Sequence, residues 1–249
     1  MFINTKALVL RSVQYKESSR ILTVLTPEHG KLTVSARGAV RKSSRVTASV
    51  QPLVFSEMTL SKTRDRYILT ESQVIEQFGE LSADLERYAL AAYFAELLES
   101  LSDEDSPSPE LLSLGLNALH VLCRDGERSV ELIKAAFELR VMCLSGYAPA
   151  LDTCAGCGET INGNAFINLF GGSIYCKACA DSDTTPLHTD ALSACRYVCS
   201  CDARRLYSFA LDAPALQNLA SVCEGYILSQ LDRGFKSLDY YYKIKENLQ

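Results

Sequence analysis

Four cysteines form two pairs whose spacing fits a metal site. Cys154 and Cys157 make one C-x-x-C pair, and Cys176 and Cys179 make a second pair after eighteen intervening residues. Each pair can bend around an ion, and two such knuckles supply the four thiolates that tetrahedral Zn²⁺ takes in a structural site. Because four thiolates leave no open coordination position, catalysis at this metal is not expected. The pattern predicts one structural zinc ion.

The residues around these pairs predict a zinc ribbon over residues 152–182. Between the pairs, residues 165–175 resemble two short strands that meet at Gly171 and Gly172. Two disulfides could use the same four cysteines. However, the first residues lack the order of charge and apolarity of a secretory signal, and cytosolic thiols stay reduced. No apolar run reaches the length that a membrane span requires. We therefore expect a cytoplasmic protein that binds zinc and does not contact a membrane.

Three further cysteines, Cys195, Cys199 and Cys201, lie near His188. Their spacing does not fit a second knuckle pair, and cysteine is commonly a small buried hydrophobe. We expect that role for these three residues, and the same role for Cys123, Cys143 and Cys223.

The charge of the chain is unevenly distributed. The net charge is -5, but residues 1–80 contain twelve Lys and Arg against seven Asp and Glu, whereas the remaining residues contain thirteen against twenty-three. The first segment is therefore at +5 and the rest at -10. This asymmetry favours a polyanionic partner for the first segment, although it could also be surface decoration.

The first eighty residues predict an OB-like β-barrel that binds nucleic acid. Five β-rich runs follow each other without an intervening helix: Lys6–Val13, Arg20–Thr26, Lys31–Arg37, Leu53–Leu60 and Arg66–Ile75. The third run alternates, with Leu32, Val34 and Ala36 on the face that we assign to the core.

Cations of this module are the candidate DNA contacts. After Arg37, a loop with small residues and no acids contains Arg41, Lys42 and Arg45, a composition that suits contact with phosphates, although it would also suit a solvated loop. The other candidate cations of the barrel are Arg11, Lys16, Arg20, Lys31, Arg64 and Arg66. Because aromatic residues are sparse here, we expect the barrel to hold the sugar-phosphate backbone more than the bases.

From about residue 81 the hydrophobic period changes to that of helices. Helical patterns occur both before and after the ribbon, which predicts one helical domain, 81–249, that the ribbon interrupts. The segment 239–249 is aromatic and then charged, and we expect it to pack partly and to fray. The fold class is thus an α+β multidomain protein.

Taken together, these features resemble the RecO family of bacterial recombination-mediator proteins. The residues that support the resemblance span most of the chain: Ala7–Leu10, Glu17–Leu22, His29–Lys31, Ala36–Ala39, Ser44–Arg45, Gln51–Leu53, Gly146–Pro149 and Cys154–Gly158. The sequence departs from the family pattern at Ala180, where a second knuckle glycine would be usual, and in its acidic helical domain.

The resemblance implies a non-enzymatic role in DNA repair and recombination. It implies binding of single- and double-stranded DNA, annealing of complementary strands, and a nucleoid-associated location in the bacterial cytoplasm. With the partner RecR, such a protein helps to load RecA onto DNA coated by single-stranded DNA-binding protein, whose C-terminal tail would bind between helices. Carried onto this sequence, Arg37, Arg41, Lys42 and Arg45 would contact phosphates.

Two other classes of protein are the alternatives. An enzyme is disfavoured because the sequence has no Walker-type glycine loop, no H-E-x-x-H motif and no nucleophile elbow. A zinc-ribbon RNA-binding or transcription-associated factor is the main alternative, and a preference for RNA over DNA would distinguish it.

Overall fold

The computed structural model describes residues 2–37, 39, 46–63, 66–124 and 128–248. The chain folds into two compact units. Unit 1 comprises Met1–Asp125 together with Phe235–Gln249, and unit 2 comprises Gly126–Gly234. The segment that follows unit 2 in sequence therefore belongs to unit 1.

A closed five-stranded barrel of the OB-like type forms the first part of unit 1. Its strands are β1 (Phe2–Tyr15), β2 (Ser19–Thr26), β3 (Gly30–Ala36), β4 (Phe55–Thr63) and β5 (Arg66–Glu76). They close in the order β1-β2-β3-β5-β4, with β3 and β5 parallel and the other neighbours antiparallel. All five strands overlap the runs predicted from the sequence, which confirms the predicted barrel.

The barrel core follows the alternation of the strands. Leu32, Val34 and Ala36 of β3 are buried, whereas Thr33 between them is exposed. Val9 and Leu60 join them in a single apolar cluster. Burial of one face of each strand fixes the register, because a slip by one residue would turn every apolar side chain outward.

Helices and a small second sheet make up the rest of the described chain. The remaining elements are α1 (Leu85–Leu101), α2 (Pro109–Cys123), α3 (Val130–Leu144), β6 (Ala165–Asn168), β7 (Ser173–Tyr175), β8 (Thr185–Leu187), α4 (Thr189–Ser200), α5 (Ala213–Leu231) and α6 (Lys236–Leu248). Short 3₁₀ helices occupy Gly79–Ala83 and Ala203–Arg205. No described helix is both long and apolar enough to cross a bilayer.

The connector between α1 and α2, residues 102–108, is hydrogen-bonded to the barrel. The Lys31 amide donates to the Asp103 carbonyl at 3.0 Å, and the Ser108 amide donates to the Pro27 carbonyl at 3.1 Å. Gly30 has a φ of +59°, and a Cβ added to it would lie 2.0 Å from the Ser106 carbonyl oxygen. A residue without a side chain is therefore required where the connector crosses the barrel.

Helix α6 packs on α1 within unit 1. The rings of Tyr93 and Phe235 are edge-to-face at 5.8 Å between centroids. The Ser237 amide and hydroxyl both donate to the Glu96 carboxylate. Helix α6 begins before residue 239, buries Leu238 and Tyr241, and leaves its other side chains half-buried or exposed. The segment predicted to pack partly does so, as a regular helix that the sequence did not predict.

Unit 2 combines α3, α4 and α5 with a three-stranded sheet of order β7-β6-β8. The buried Lys134 ammonium of α3 lies 2.8 Å from Glu138 and 2.6 Å from Glu224 of α5, an ion network that joins the two helices. Strand β8 contains Pro186 and was not predicted from the sequence.

The predicted domain limits follow the change from strands to helices at residue 80. The compact units follow the packing of the elements instead: α1, α2 and α6 belong to the same unit as the barrel, whereas α3, α4 and α5 belong with the ribbon. The division of function between residues 1–80 and 81–249 stays a prediction.

Candidate metal centre and nucleic-acid interface

The four predicted zinc ligands come together in unit 2. The sulfur atoms of Cys154, Cys157, Cys176 and Cys179 all lie within 4.8 Å of one another. The first pair is bent by a hydrogen bond from the Gly158 amide to the Cys154 carbonyl, and the second by one from the Cys179 amide to the Cys176 carbonyl. Two tight turns thus place four sulfur atoms around one point, as a tetrahedral metal ion requires.

Gly156 allows this close approach. A Cβ added at residue 156 would lie 2.8 Å from the Cys179 Cβ and 3.0 Å from its sulfur. Gly158, which ends the first turn, has a φ of +77°, a conformation that L side chains rarely adopt. Glycine is therefore required at residue 156 because a side chain would clash with Cys179, and it is favoured at residue 158 because of the positive φ.

The protonation chemistry of the cluster also fits a cation. The Cys176 amide donates to the Cys154 sulfur at 3.3 Å and lowers the pKa of Cys154 to about 6. Hydrogen bonding with Cys176, followed by that with Cys154, raises the pKa of Cys179 to about 12. Without an added positive charge, the low pKa of Cys154 favours its thiolate, whereas the raised pKa of Cys179 disfavours ionisation of that thiol. A divalent ion stabilises the thiolate form of its ligands, so this donor set fits a metal held by thiolates.

The ribbon is attached to the helices of unit 2 by two side chains. The Arg196 guanidinium of α4 donates to the Leu151 carbonyl at 2.6 Å and to the Ile161 carbonyl at 2.7 Å. The Gln230 amide of α5 donates to the carbonyls of Leu169 and Phe170 at the hairpin turn. The start and the tip of the ribbon are thus held by helices of the same unit.

A second candidate site is a groove of about 680 Å³ on the barrel. It is bordered by the β1–β2 turn, the end of β3 and the start of β5. Three cations line it: Lys16, Arg37 and Arg66. Most other lining residues are hydroxyl-bearing or aromatic: Tyr15, Ser18, Ser19, Thr33, Ser35 and Tyr67. Among the described residues that line the groove none is acidic, so its electrostatic potential favours an anion.

Two tyrosines in this groove were not singled out as ligand contacts from the sequence. Tyr15 is 51% exposed, and the Lys16 ammonium lies 5.4 Å from the centre of its ring. Tyr67 is buried, and its hydroxyl donates to Asp105 and accepts from Lys62. The position of Tyr15 at the end of a strand, next to a cation, was the signal that could have identified it.

The other described candidate cations lie outside the groove lining. Arg11 forms a 2.8 Å ion pair with Glu99 of α1, and Lys31 donates to the Glu99 carbonyl at 2.8 Å. Arg20 donates to the Ser12 hydroxyl at 3.0 Å. All three thus have partners within unit 1, and their contact with DNA stays a prediction. Arg41, Lys42, Arg45 and Arg64 lie outside the described residues.

No second cluster of three metal-ligating side chains is found among the described residues. Cys195 and Cys223 are buried, as expected for small hydrophobes, whereas Cys123, Cys143, Cys199 and Cys201 are only partly buried. Arg140 of α3 donates to the carbonyls of Val198, Cys199 and Cys201 at the end of α4.

These features define the class of the protein: an α+β chain with an OB-like barrel, a helical C-terminal domain and a four-cysteine metal-binding ribbon. Comparison with known families agrees with this class. The family model described as Recombination protein O N terminal matches residues 1–78, and that described as Recombination protein O C terminal matches residues 82–239.

Curated relatives match along almost the whole chain. The DNA repair protein RecO of Alkaliphilus metalliredigens (strain QYMF) is 32% identical over 247 residues, which cover 98% of this chain and 100% of the relative. The DNA repair protein RecO of Desulforudis audaxviator (strain MP104C) is 32% identical over 242 residues, 96% of each chain. The DNA repair protein RecO of Acetivibrio thermocellus (strain ATCC 27405) is 29% identical over 241 residues, also 96% of each chain. This chain belongs to the RecO family of DNA repair proteins.

Proposed function

We propose that this protein is a non-enzymatic DNA-binding and strand-annealing factor of recombinational repair. The main observation in favour is the barrel groove, where Lys16, Arg37 and Arg66 surround about 680 Å³ without an acidic neighbour among the described lining residues. Cations placed this way release counterions from phosphates, which supplies affinity that does not depend on base sequence.

The groove suits an annealing protein because it offers few stacking surfaces. Of its two aromatic side chains, Tyr15 is 51% exposed, whereas Tyr67 is buried and the Lys62 ammonium lies 4.8 Å from the centre of its ring. A strand held mainly by its sugar-phosphate backbone keeps its Watson–Crick edges free to pair with a second strand. The loop that follows Arg37 in sequence, with Arg41, Lys42 and Arg45, would extend the same contact.

The partners of this activity follow from membership of the family. We propose that the protein acts with RecR to load RecA onto single-stranded DNA coated by single-stranded DNA-binding protein, whose C-terminal tail it binds. Both single- and double-stranded DNA would be ligands. The site of action would be the bacterial cytoplasm, at the nucleoid.

We also propose that the metal held by the ribbon is a single structural Zn²⁺. Four thiolates are the ligand set of closed zinc sites, and the four cysteine sulfurs here lie within 4.8 Å of one another. The ion would hold the two turns in place, while Arg196 and Gln230 attach the ribbon to the helices.

Salt-dependent binding of single-stranded DNA tests the groove. We expect Arg37→Ala and Arg66→Ala each to weaken binding similarly across base sequences. The plot of log K against log salt has a negative slope, and each substitution should reduce the magnitude of that slope by about 0.7 to 1, the value for one lost phosphate contact. Fluorescence anisotropy with labelled oligonucleotides over a salt series measures both quantities.

Lys6→Ala is the matched control, because Lys6 is an exposed cation of the same barrel that does not line the groove and pairs across the strands with Glu57. If the two arginine variants keep the parental slope, or if Lys6→Ala lowers it equally, the groove is not the binding site.

Strand annealing without nucleotide tests the activity itself. The intact protein should accelerate pairing of complementary oligonucleotides in the absence of ATP, and the Arg37→Ala/Arg66→Ala double variant should lose most of that acceleration. ATP hydrolysis or DNA cleavage by the purified protein would contradict a non-enzymatic role. Tighter binding of an RNA strand than of the matched DNA strand would favour the alternative, an RNA-binding or transcription-associated factor.

A further inference from the structure

Two thiols from different helices of unit 2 are in contact outside the metal site. Cys143 lies in the last turn of α3, and Cys199 lies in the last turn of α4. Their sulfur atoms are 3.4 Å apart, within hydrogen-bonding distance, although 56 positions separate them in the chain. Both residues are partly exposed.

Arg140 places a fixed positive charge beside this pair. It precedes Cys143 by three positions on α3, and its guanidinium donates to the Val198 and Cys199 carbonyls at 3.0 Å and to the Cys201 carbonyl at 2.8 Å. Residues three apart lie on the same face of a helix. Arg140 therefore has two effects: it joins the end of α4 to α3, and its charge favours a thiolate at Cys143.

The two thiols differ in how easily they ionise. Hydrogen bonding with Cys199 lowers the pKa of Cys143 against the opposing effect of burial, and the charge of Arg140 adds to the lowering. The same hydrogen bond, together with burial, raises the pKa of Cys199. Cys143 is thus the nucleophile of the pair, and Cys199 keeps its proton beside it.

Neighbouring cysteines do not share this arrangement. Cys195 and Cys223 are both buried and are shielded from solvent. The Cys201 thiol is 4.0 Å from the Val198 carbonyl, and burial raises its pKa. Cys143 and Cys199 are the described thiols that combine mutual contact, partial exposure and a nearby cation.

We propose that Cys143 and Cys199 form an oxidant-sensitive thiol pair that a hydroperoxide converts to a disulfide. In the first step the Cys143 thiolate attacks one peroxide oxygen. The O–O bond breaks, Cys143 becomes a sulfenic acid, and the departing hydroxide takes a proton to form water.

In the second step the Cys199 sulfur attacks the Cys143 sulfur. The S–S bond forms as the S–O bond breaks, and the Cys199 proton leaves with the hydroxide as a second water. The two sulfurs together lose two electrons, and hydrogen peroxide is reduced to two water molecules. A disulfide length of about 2.05 Å requires the sulfurs to approach by about 1.4 Å. Both lie in terminal helical turns, which adjust more easily than a helix interior.

Peptide mapping after mild oxidation tests the pair. The intact protein with its metal is treated with hydrogen peroxide, the remaining thiols are alkylated, and the chain is cleaved before aspartates without reduction. This cleavage isolates Cys143 from the four metal ligands on the segment 125–151, and places Cys199 on the segment 190–201. We expect these two segments to be linked, with the bond assigned to Cys143 and Cys199 by fragmentation.

Substitutions separate the two steps. Cys199→Ser should abolish the linked segments and leave a sulfenic acid on Cys143 that dimedone traps. Cys143→Ser should abolish both the linkage and the dimedone adduct. Cys201→Ser, on the same segment as Cys199, should leave the linkage intact. The proposal is overturned if the parental protein oxidises at the four ribbon cysteines while Cys143 and Cys199 stay unlinked, or if the segments link through Cys201 or Cys195.

Discussion

Two buried tyrosine hydroxyls of unit 2 show how much a single polar atom depends on its partner. The Tyr226 hydroxyl donates to the Tyr147 carbonyl at 2.9 Å. The Tyr207 hydroxyl is buried, and no hydrogen-bond partner for it is found among the described residues. A buried polar group stabilises a fold only when its hydrogen bond replaces the one lost to water. The hydroxyl should therefore raise the free energy of unfolding at Tyr226 and lower it at Tyr207.

Replacement of each tyrosine by phenylalanine tests this difference. Tyr226→Phe should lower the free energy of unfolding by about 1 kcal/mol, because it leaves the Tyr147 carbonyl without its donor. Tyr207→Phe should be neutral or stabilising by up to about 1 kcal/mol, because it removes a hydroxyl without a described partner. Urea unfolding of the two variants measures both values, and each serves as the control for the other. Equal losses of stability would contradict the assignment.

The pKa of Tyr226 adds a pH dependence to this comparison. Burial, followed by the nearby Cys143 and Cys199 sulfurs, raises the pKa of Tyr226 to about 12 from the ordinary value of 10. The folded state therefore binds the phenolic proton more tightly than the unfolded state. The contribution of this bound proton to the free energy of unfolding is complete below pH 10, and it is lost as the pH rises towards 12. Tyr226→Phe should consequently unfold with a weaker pH dependence than the parental protein over this interval, and an unchanged dependence would exclude Tyr226 as the cause.

At the scale of elements, the connector between α1 and α2 constrains the β2–β3 turn of the barrel. The connector crosses the β2–β3 turn at Gly30, where the positive φ and the Ser106 carbonyl both exclude a side chain. Gly30→Ala should destabilise unit 1 by about 2 kcal/mol or more, since backbone strain and a backbone clash add.

Gly79→Ala is the matched control for that substitution. A Cβ added at Gly79 would meet nothing within 4 Å, and this glycine has no positive φ. Thermal unfolding followed by circular dichroism compares the two variants. A Gly30→Ala protein as stable as Gly79→Ala would mean that the connector moves aside without cost.

Elements with a strong local pattern were predictable from the sequence, and elements that depend on distant contacts were not. The barrel strands were found because β3 alternates apolar and polar residues and because turn residues separate the runs. Helix α6 was missed because its sequence is polar overall and rich in tyrosine, and because the helix that it packs against, α1, is far away in the chain. Strand β8 was missed because it is short and contains Pro186.

The candidate sites divide in the same way. The clustering of the four cysteines proposed as metal ligands was predicted correctly because their spacing is itself the signal. The groove residues share no such spacing, since Tyr15, Arg37 and Arg66 come together only through closure of the barrel. No pattern in the sequence could show that Glu99 engages Arg11 and Lys31.

At the scale of the whole molecule, two units with separate cores predict separate responses to metal removal. If the ribbon holds zinc, a chelator should destabilise unit 2 and leave the unfolding of unit 1 unchanged. The loss amounts to about 2.7 kcal/mol when free metal was present at 100 times its dissociation constant. Acidification should act in the same direction, because protons compete with the metal for thiolates.

Calorimetry with parallel elemental analysis measures the effect of metal removal. Cys176→Ser should reproduce the effect of the chelator, with metal lost. Cys123→Ser, which changes a partly buried thiol of α2 in unit 1, should retain the metal. Full metal content in Cys176→Ser would show that the ligands are misassigned.

The discontinuity of unit 1 has a consequence for synthesis on the ribosome. Residues 126–234 are translated before residues 235–249, yet Phe235 and α6 complete the packing of α1, which was made much earlier. The metal-binding unit can therefore emerge and fold while the barrel's own unit still lacks its last helix. A nascent chain arrested near residue 234 would leave the face of α1 around Tyr93 open, and the unit that contains the barrel would mature last although its translation begins first.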